Sequence, residues 1–143
     1  IMVPFRNEAT AVAVTTVLLI DDNDEDRKYW GEVLKKSSLN YMVLEASSGD
    51  AGLDLCRSHQ IDCVVLDLDM QESGFYALFN LISDRKRPEI AVVILTHLPH
   101  PNLLEMAMHN GAQACLIKQT TSAEDLDNAI QTAVASVKSK RQE

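Results

Sequence analysis

Three aspartates, a threonine and a lysine each stand at the carboxyl end of a short apolar run. Asp21-Asp22 follow Val17-Leu18-Leu19-Ile20, Asp67 follows Val64-Val65-Leu66, Thr96 follows Ala91 to Leu95, and Lys118 follows Ala114-Cys115-Leu116-Ile117. Brought together, Asp21, Asp22 and Asp67 would repel one another unless a cation or a proton intervened. Oxygen-only ligands select a hard cation, and Mg²⁺ fits best because it keeps several waters and shares carboxylates with a phosphate. A carboxylate screened in this way can attack phosphorus and form an aspartyl phosphate. The three equatorial oxygens of the group in transfer then need partners. The metal supplies one, the Lys118 ammonium a second, and the Thr96 hydroxyl with nearby backbone N–H groups a third.

The elements that must position these groups follow from the pattern around them. Short, β-branched apolar runs read as strands buried on both faces. In a parallel sheet their carboxyl ends share one edge, where open α/β sheets place ligands. The strands expected are Val17–Ile20, Tyr41–Ala46, Cys63–Leu68, Ile90–Leu95 and Ala114–Ile117. Helices fill the intervals. The first presents Trp30, Val33 and Leu34, with Asp24 to Asp26 read as cap and first-turn residues suited to the helix dipole. Ser47-Ser48-Gly49-Asp50 opens the second, which carries Leu53, Leu55 and Cys56. Met70 to Gly74 reads as a loop and Phe75–Asp84 as the third helix. The fourth starts at Pro101, shows Leu103, Leu104, Ala107 and Met108 as its apolar side, and stops at Gly111. Thr121-Ser122-Ala123-Glu124 spells a capping box for the fifth, with Leu126, Ala129, Ile130, Ala133, Val134 and Val137 at helical spacing.

Five strands alternating with five helices predict an α/β fold, a doubly wound parallel sheet between two helical layers with right-handed crossovers. The flavodoxin-like order 2-1-3-4-5 sets strand one beside strand three, and so the acidic pair beside Asp67. The expected boundaries are a linker or added extension over 1–15, one domain over 16–138 and a basic tail over 139–143. Composition agrees with a single domain: 143 residues with 46% hydrophobic suffice for one core. A net charge of −8 argues against direct binding to nucleic acid. Cys56, Cys63 and Cys115 lack CxxC spacing and read as reduced, buried thiols of a cytoplasmic protein. No apolar run reaches the roughly 18 residues of a membrane span, so no membrane partner is expected.

At this point the sequence resembles the receiver domains of two-component response regulators and hybrid histidine kinases, over about residues 16–138. The carriers are Asp21-Asp22-Asn23, Asp67 with Gly74 seven residues on, Thr96, and Gly111-Ala112 leading into Leu116-Ile117-Lys118, with spacings of 45, 29 and 22 residues from Asp22 through Asp67 and Thr96 to Lys118. The resemblance implies that Asp67 accepts a phosphoryl group from a histidine kinase or a histidine phosphotransfer protein. It implies Mg²⁺ held by Asp21, Asp22, Asp67 and the backbone carbonyl of Asp69, with Thr96 and Lys118 on the phosphate. The output would be a changed surface of the fourth helix, fifth strand and fifth helix, read by a downstream protein, a linked output domain or a second copy in a homodimer. No enzymatic turnover is implied beyond phosphorylation and dephosphorylation of the domain itself.

Four positions depart from that family: Gln71 and Gln119 where Pro is usual, His97 where a small residue is usual, and Cys115 where Tyr or Phe is usual. With Cys115 no ring can turn inward behind Thr96. A cis peptide after Lys118 would cost about 3 kcal/mol with Gln119, so a trans bond and a reshaped loop are expected. His97, beside the hydroxyl, is expected to narrow access to Asp67 and slow phosphorylation by small donors. These departures favour an alternative, a degenerate receiver serving as a phosphorylation-independent docking module. Asp67-Leu68-Asp69 also spells the DxD of haloacid-dehalogenase-like phosphohydrolases. There DxD ends the first strand and the acidic pair comes late, whereas here the pair precedes it by 45 residues.

Overall fold

A computed structural model describes residues 14–38, 40–70, 72–83, 90–97 and 100–141. Five parallel strands, β1 (Thr15–Ile20), β2 (Tyr41–Ala46), β3 (Cys63–Leu66), β4 (Ala91–Thr96) and β5 (Ala114–Ile117), form one sheet in the order β2-β1-β3-β4-β5. Helices α1 (Asp24–Ser37), α2 (Gly49–Ser58), α3 (Glu72–Ser83), α4 (Pro101–His109) and α5 (Ala123–Arg141) connect and follow them. This is the flavodoxin-like fold expected from the alternation of elements.

The pleat divides the core into two layers, because successive strand residues face opposite sides. Leu18, Ile20, Val64, Leu66, Val92 and Ile94 pack with Leu53 and Cys56 of α2, Ala77, Leu78 and Leu81 of α3, and Ala107 of α4. Val17, Leu19, Cys63, Val65, Val93 and Leu95 pack with Trp30 and Leu34 of α1 and Leu126, Ile130, Ala133, Val134 and Val137 of α5. Each large apolar side chain buried this way stabilises by roughly 1.5–3 kcal/mol at most. Gly52 lets α2 lie close on the sheet: a Cβ there would stand 2.3 Å from Ile20 Cδ1.

Register then fixes where the polar groups emerge. Ile20 lies opposite Leu66, Leu66 opposite Ile94, and Thr96 opposite Ile117. Asp21 and Asp67, each one residue further along, therefore leave the sheet side by side, and the Asp67 N–H bonds the Ile20 carbonyl at 3.0 Å.

Several sequence expectations shift. β3 stops at Leu66 rather than Leu68, because the Asp67 carboxylate takes the Asp69 N–H at 2.8 Å and turns the chain. α3 begins at Glu72, so Glu72 to Gly74 are helical rather than loop. The reciprocal cap of α5 is Ser122 with Asp125, one residue beyond the expected pair: Ser122 Oγ accepts from the Asp125 N–H and Asp125 Oδ2 accepts from the Ser122 N–H, both at 3.0 Å. Met108 is exposed, because nine-residue α4 buries only Ala107 fully and turns Met108 about 100° away from it. Gly111 ends that helix with φ 116°, where a side chain would be strained. β1 starts at Thr15, and the basic residues from Ser139 to Arg141 continue α5. Residues 1–13, Gln71 and Asp84 lie outside the described residues.

Candidate functional site

The site is the carboxyl edge of β1, β3, β4 and β5. Asp21 is 1% exposed, Asp67 3%, Thr96 1% and Lys118 7%, and they are the buried polar or charged residues among those described. The Asp21 loop is held by its own neighbours. Asp21 Oδ1 accepts the Asn23 N–H at 2.9 Å, and Asn23 in turn caps α1 by accepting the Asp26 N–H at 3.0 Å. Arg27 Nη1, one turn into α1, donates to the Asp21 carbonyl at 2.8 Å and Nη2 to Asp24 Oδ1 at 2.6 Å.

Lys118 reaches the edge from the turn after β5, Lys118–Thr120, which Thr121 ties back through its hydroxyl to the Ile117 carbonyl at 2.6 Å. No cis peptide bond occurs among the described residues, so the Lys118–Gln119 bond is trans as expected. The ammonium donates to Asp21 Oδ2 at 2.7 Å, Asp67 Oδ2 at 2.9 Å and Asp26 Oδ2 at 2.9 Å. Burial opposes its charge, but three carboxylates outweigh burial and hold the Lys118 pKa above its ordinary value. Burial lifts the Asp21 carboxyl above its usual range, against the pull of Lys118 and the Asn23 N–H. Asp67 has both oxygens engaged, Oδ1 by the Asp69 N–H and Oδ2 by Lys118.

Asp22 is exposed at the rim. One oxygen each from Asp21, Asp22 and Asp67 lie within 4.8 Å of one another, a cluster short enough for one hydrated divalent ion to reach all three. Thr96 Oγ1 is buried with no hydrogen-bond partner among the described residues. A buried hydroxyl left unsatisfied costs free energy, so it is poised for an acceptor that a phosphoryl oxygen could supply. The structure thus brings Asp21, Asp22, Asp67 and Lys118 to one edge, with Thr96 ending β4 on the same edge and the Asp69 N–H turned onto Asp67.

One member was not foreseen. Asp26, read as a plain first-turn residue, reaches Lys118 and also His97 Nε2 at 2.8 Å. Burial opposes its charge, yet the Lys118 and His97 hydrogen bonds lower its pKa. A signal was present: Asp26, Trp30 and Leu34 are spaced by four, and the last two are buried, so Asp26 lies on the stripe of α1 that faces the sheet. Cys115 takes the place of the expected ring and points its thiol to the Leu104 carbonyl of α4 at 3.8 Å; burial pushes its pKa up to about 11.

The sequence profile of the response regulator receiver domain matches residues 17–131. The chain belongs to that family. Among related receiver-domain proteins, the transcriptional regulatory protein PdtaR of Mycobacterium tuberculosis is 32% identical over 129 residues, covering 90% of this chain and 60% of that protein. The nitrate/nitrite response regulator protein NarL of Escherichia coli is 31% identical over 121 residues, covering 84% and 55%. This chain spans 55–60% of the length of these relatives. A receiver domain protein from Clostridium thermocellum superposes with a TM-score of 0.77 at 30% identity, covering 87% of this chain and 98% of that one. Among the described residues no helix is long and apolar enough to cross a membrane.

Proposed function

We propose that this receiver domain takes a phosphoryl group onto Asp67 from the phosphohistidine of a histidine kinase or phosphotransfer protein. The observation that carries the reading is a buried carboxylate held at both oxygens, beside a second buried acid, a buried ammonium and an unpartnered buried hydroxyl. A lone pair on one Asp67 oxygen attacks phosphorus as the P–N bond breaks, and the electron pair leaves with the imidazole nitrogen, which takes up a proton. Asp21, Asp22 and Asp67, with the Asp69 carbonyl, would hold Mg²⁺, which when bound screens the carboxylates from the incoming anion. Lys118 exchanges a carboxylate oxygen for a phosphoryl oxygen, and the Thr96 hydroxyl gains its missing partner.

The movement of Thr96 at the end of β4 is then the local event that biases a two-state surface over α4, β5 and α5. A linked output domain or a separate cytoplasmic protein reads that surface. The Cys115 thiol on Leu104 supplies a direct tie between β5 and α4 where the family usually has a ring.

The test is beryllofluoride with Mg²⁺, followed by amide chemical shifts, together with intact mass after acetyl phosphate. The expected result is saturable uptake of the mimic, perturbing resonances around Thr96 and Lys118, and one added phosphoryl group that is lost in Asp67→Asn. A protein that neither binds beryllofluoride nor takes up phosphate would overturn the proposal in favour of a docking module, and a phosphoryl group that persists in Asp67→Asn would overturn Asp67 as the acceptor.

A further inference from the structure

Lys118 has three N–H bonds and three carboxylate partners, and the third partner is out of place. Asp21 and Asp67 come from the sheet edge and are almost fully buried, so the two of them already fix the ammonium. Asp26 comes from the first turn of α1, its side chain is 26% exposed, and it adds a further carboxylate beside the cluster of Asp21, Asp22 and Asp67. Its Oδ2 is doubly used, by Lys118 at 2.9 Å and by His97 Nε2 at 2.8 Å. His97 directly follows Thr96, so the chain that carries the unpartnered hydroxyl also carries the second hand on Asp26.

We infer that Asp26 is a positioning residue that competes with the incoming phosphoryl group for Lys118, and that His97 weakens its grip by sharing the same oxygen. The inference rests on the reading of Asp67 as phosphoacceptor. A phosphoryl oxygen can bond Lys118 only if an existing acceptor yields. Of the two partners that do not themselves react, Asp26 yields more readily, because water reaches it and replaces the lost bond, whereas Asp21 would be left buried with a bare charge. Asp26 also places one more negative charge beside the site an anion must enter, which slows its arrival. His97 and Lys118 divide the lone pairs of one oxygen, so removal of the imidazole leaves that oxygen wholly to Lys118.

The two substitutions therefore act in opposite directions. Asp26→Asn should bind beryllofluoride with Mg²⁺ about tenfold more tightly than wild type, the range of one charge-assisted hydrogen bond, and accept phosphate from acetyl phosphate correspondingly faster. Asp26→Glu should return the affinity toward wild type. His97→Ala should bind the mimic several-fold more weakly, where the expectation of a steric gate at His97 gives faster phosphorylation instead. In Asp26→Asn, the further change His97→Ala should have little effect, because the charged carboxylate the two donors shared is replaced by a neutral amide. Circular dichroism and urea unfolding check that each variant folds. Wild type that binds no beryllofluoride sinks the phosphoacceptor reading itself. Wild type that binds, with Asp26→Asn equal or weaker, or with His97→Ala equally effective in both backgrounds, overturns the role of Asp26 and leaves that reading standing.

Discussion

Replacing Lys118 by Met keeps an unbranched stem one atom shorter than lysine and deletes the ammonium with its charge, which isolates what that group does for the fold. Asp21 Oδ2 and Asp67 Oδ2 bond the same nitrogen, so they lie no farther apart than the two bonds laid end to end, about 5.6 Å. At an effective dielectric of 20, two unit charges at that separation repel by about 3 kcal/mol. Loss of one partner from a buried ion pair costs about 3–5 kcal/mol, so both routes give about 3 kcal/mol. With a urea slope of about 1–3 kcal/mol per molar, the midpoint of Lys118→Met should fall by at least about 1 M at pH 7 without divalent ions. Because the cost is electrostatic, two treatments should shrink it. Millimolar Mg²⁺ should raise the midpoint of the variant more than that of wild type, and lowering the pH should protonate one of the crowded acids and narrow the gap. A deficit under about 1 kcal/mol, or one that neither Mg²⁺ nor acid changes, would refute the argument and make Lys118 a packed stem rather than a counter-ion.

Two further predictions test other links of the chain. In the metal-free protein, Asp21 has a folded-state pKa above the ordinary 3.8, so between those values the folded state binds more protons and stability falls as pH rises. Urea midpoints should therefore improve on acidification toward pH 4, and Asp21→Asn should flatten that part of the profile; an unchanged profile counts against the burial of an ionised Asp21. Gly52→Ala gains up to about 1 kcal/mol of helix propensity but forces Ile20 from its rotamer, at about 1–3 kcal/mol. Gly31→Ala gains the same propensity and meets only the Glu45 carboxylate, which can move. Urea unfolding should show Gly52→Ala destabilised and Gly31→Ala neutral or stabilised, and the reverse order would show that the packing contact at Ile20 is soft.

The sequence by itself determined the strands, their order and the edge on which the polar groups emerge. A run such as Val64-Val65-Leu66 reads as buried on both faces, and a parallel sheet leaves its carboxyl ends together, so Asp21, Asp67, Thr96 and Lys118 were legible as one set at one edge, while Thr96 and Lys118 taken singly carry little signal. The 3.6-residue stripe of α5 was legible for the same reason, since periodicity is local and depends on no distant partner. Ends of elements were less so: β3 stops at Leu66 because of a side chain that bonds two residues on, and the α5 cap sits at Ser122 rather than Thr121.

Only the tertiary structure decided how many carboxylates share Lys118 and which hydroxyl goes without a partner. Asp26 and Lys118 are 92 residues apart in the chain, and Asp26 and His97 are 71 apart. No local pattern couples such pairs; crossover connections and strand register do, by bringing the first turn of α1 over the ends of β4 and β5. Thr96 looks like any threonine at the end of a strand until the surrounding atoms show that nothing satisfies its oxygen. Hydrogen-bond satisfaction is a property of a packed neighbourhood, and a neighbourhood of this kind exists only after the chain has closed on itself.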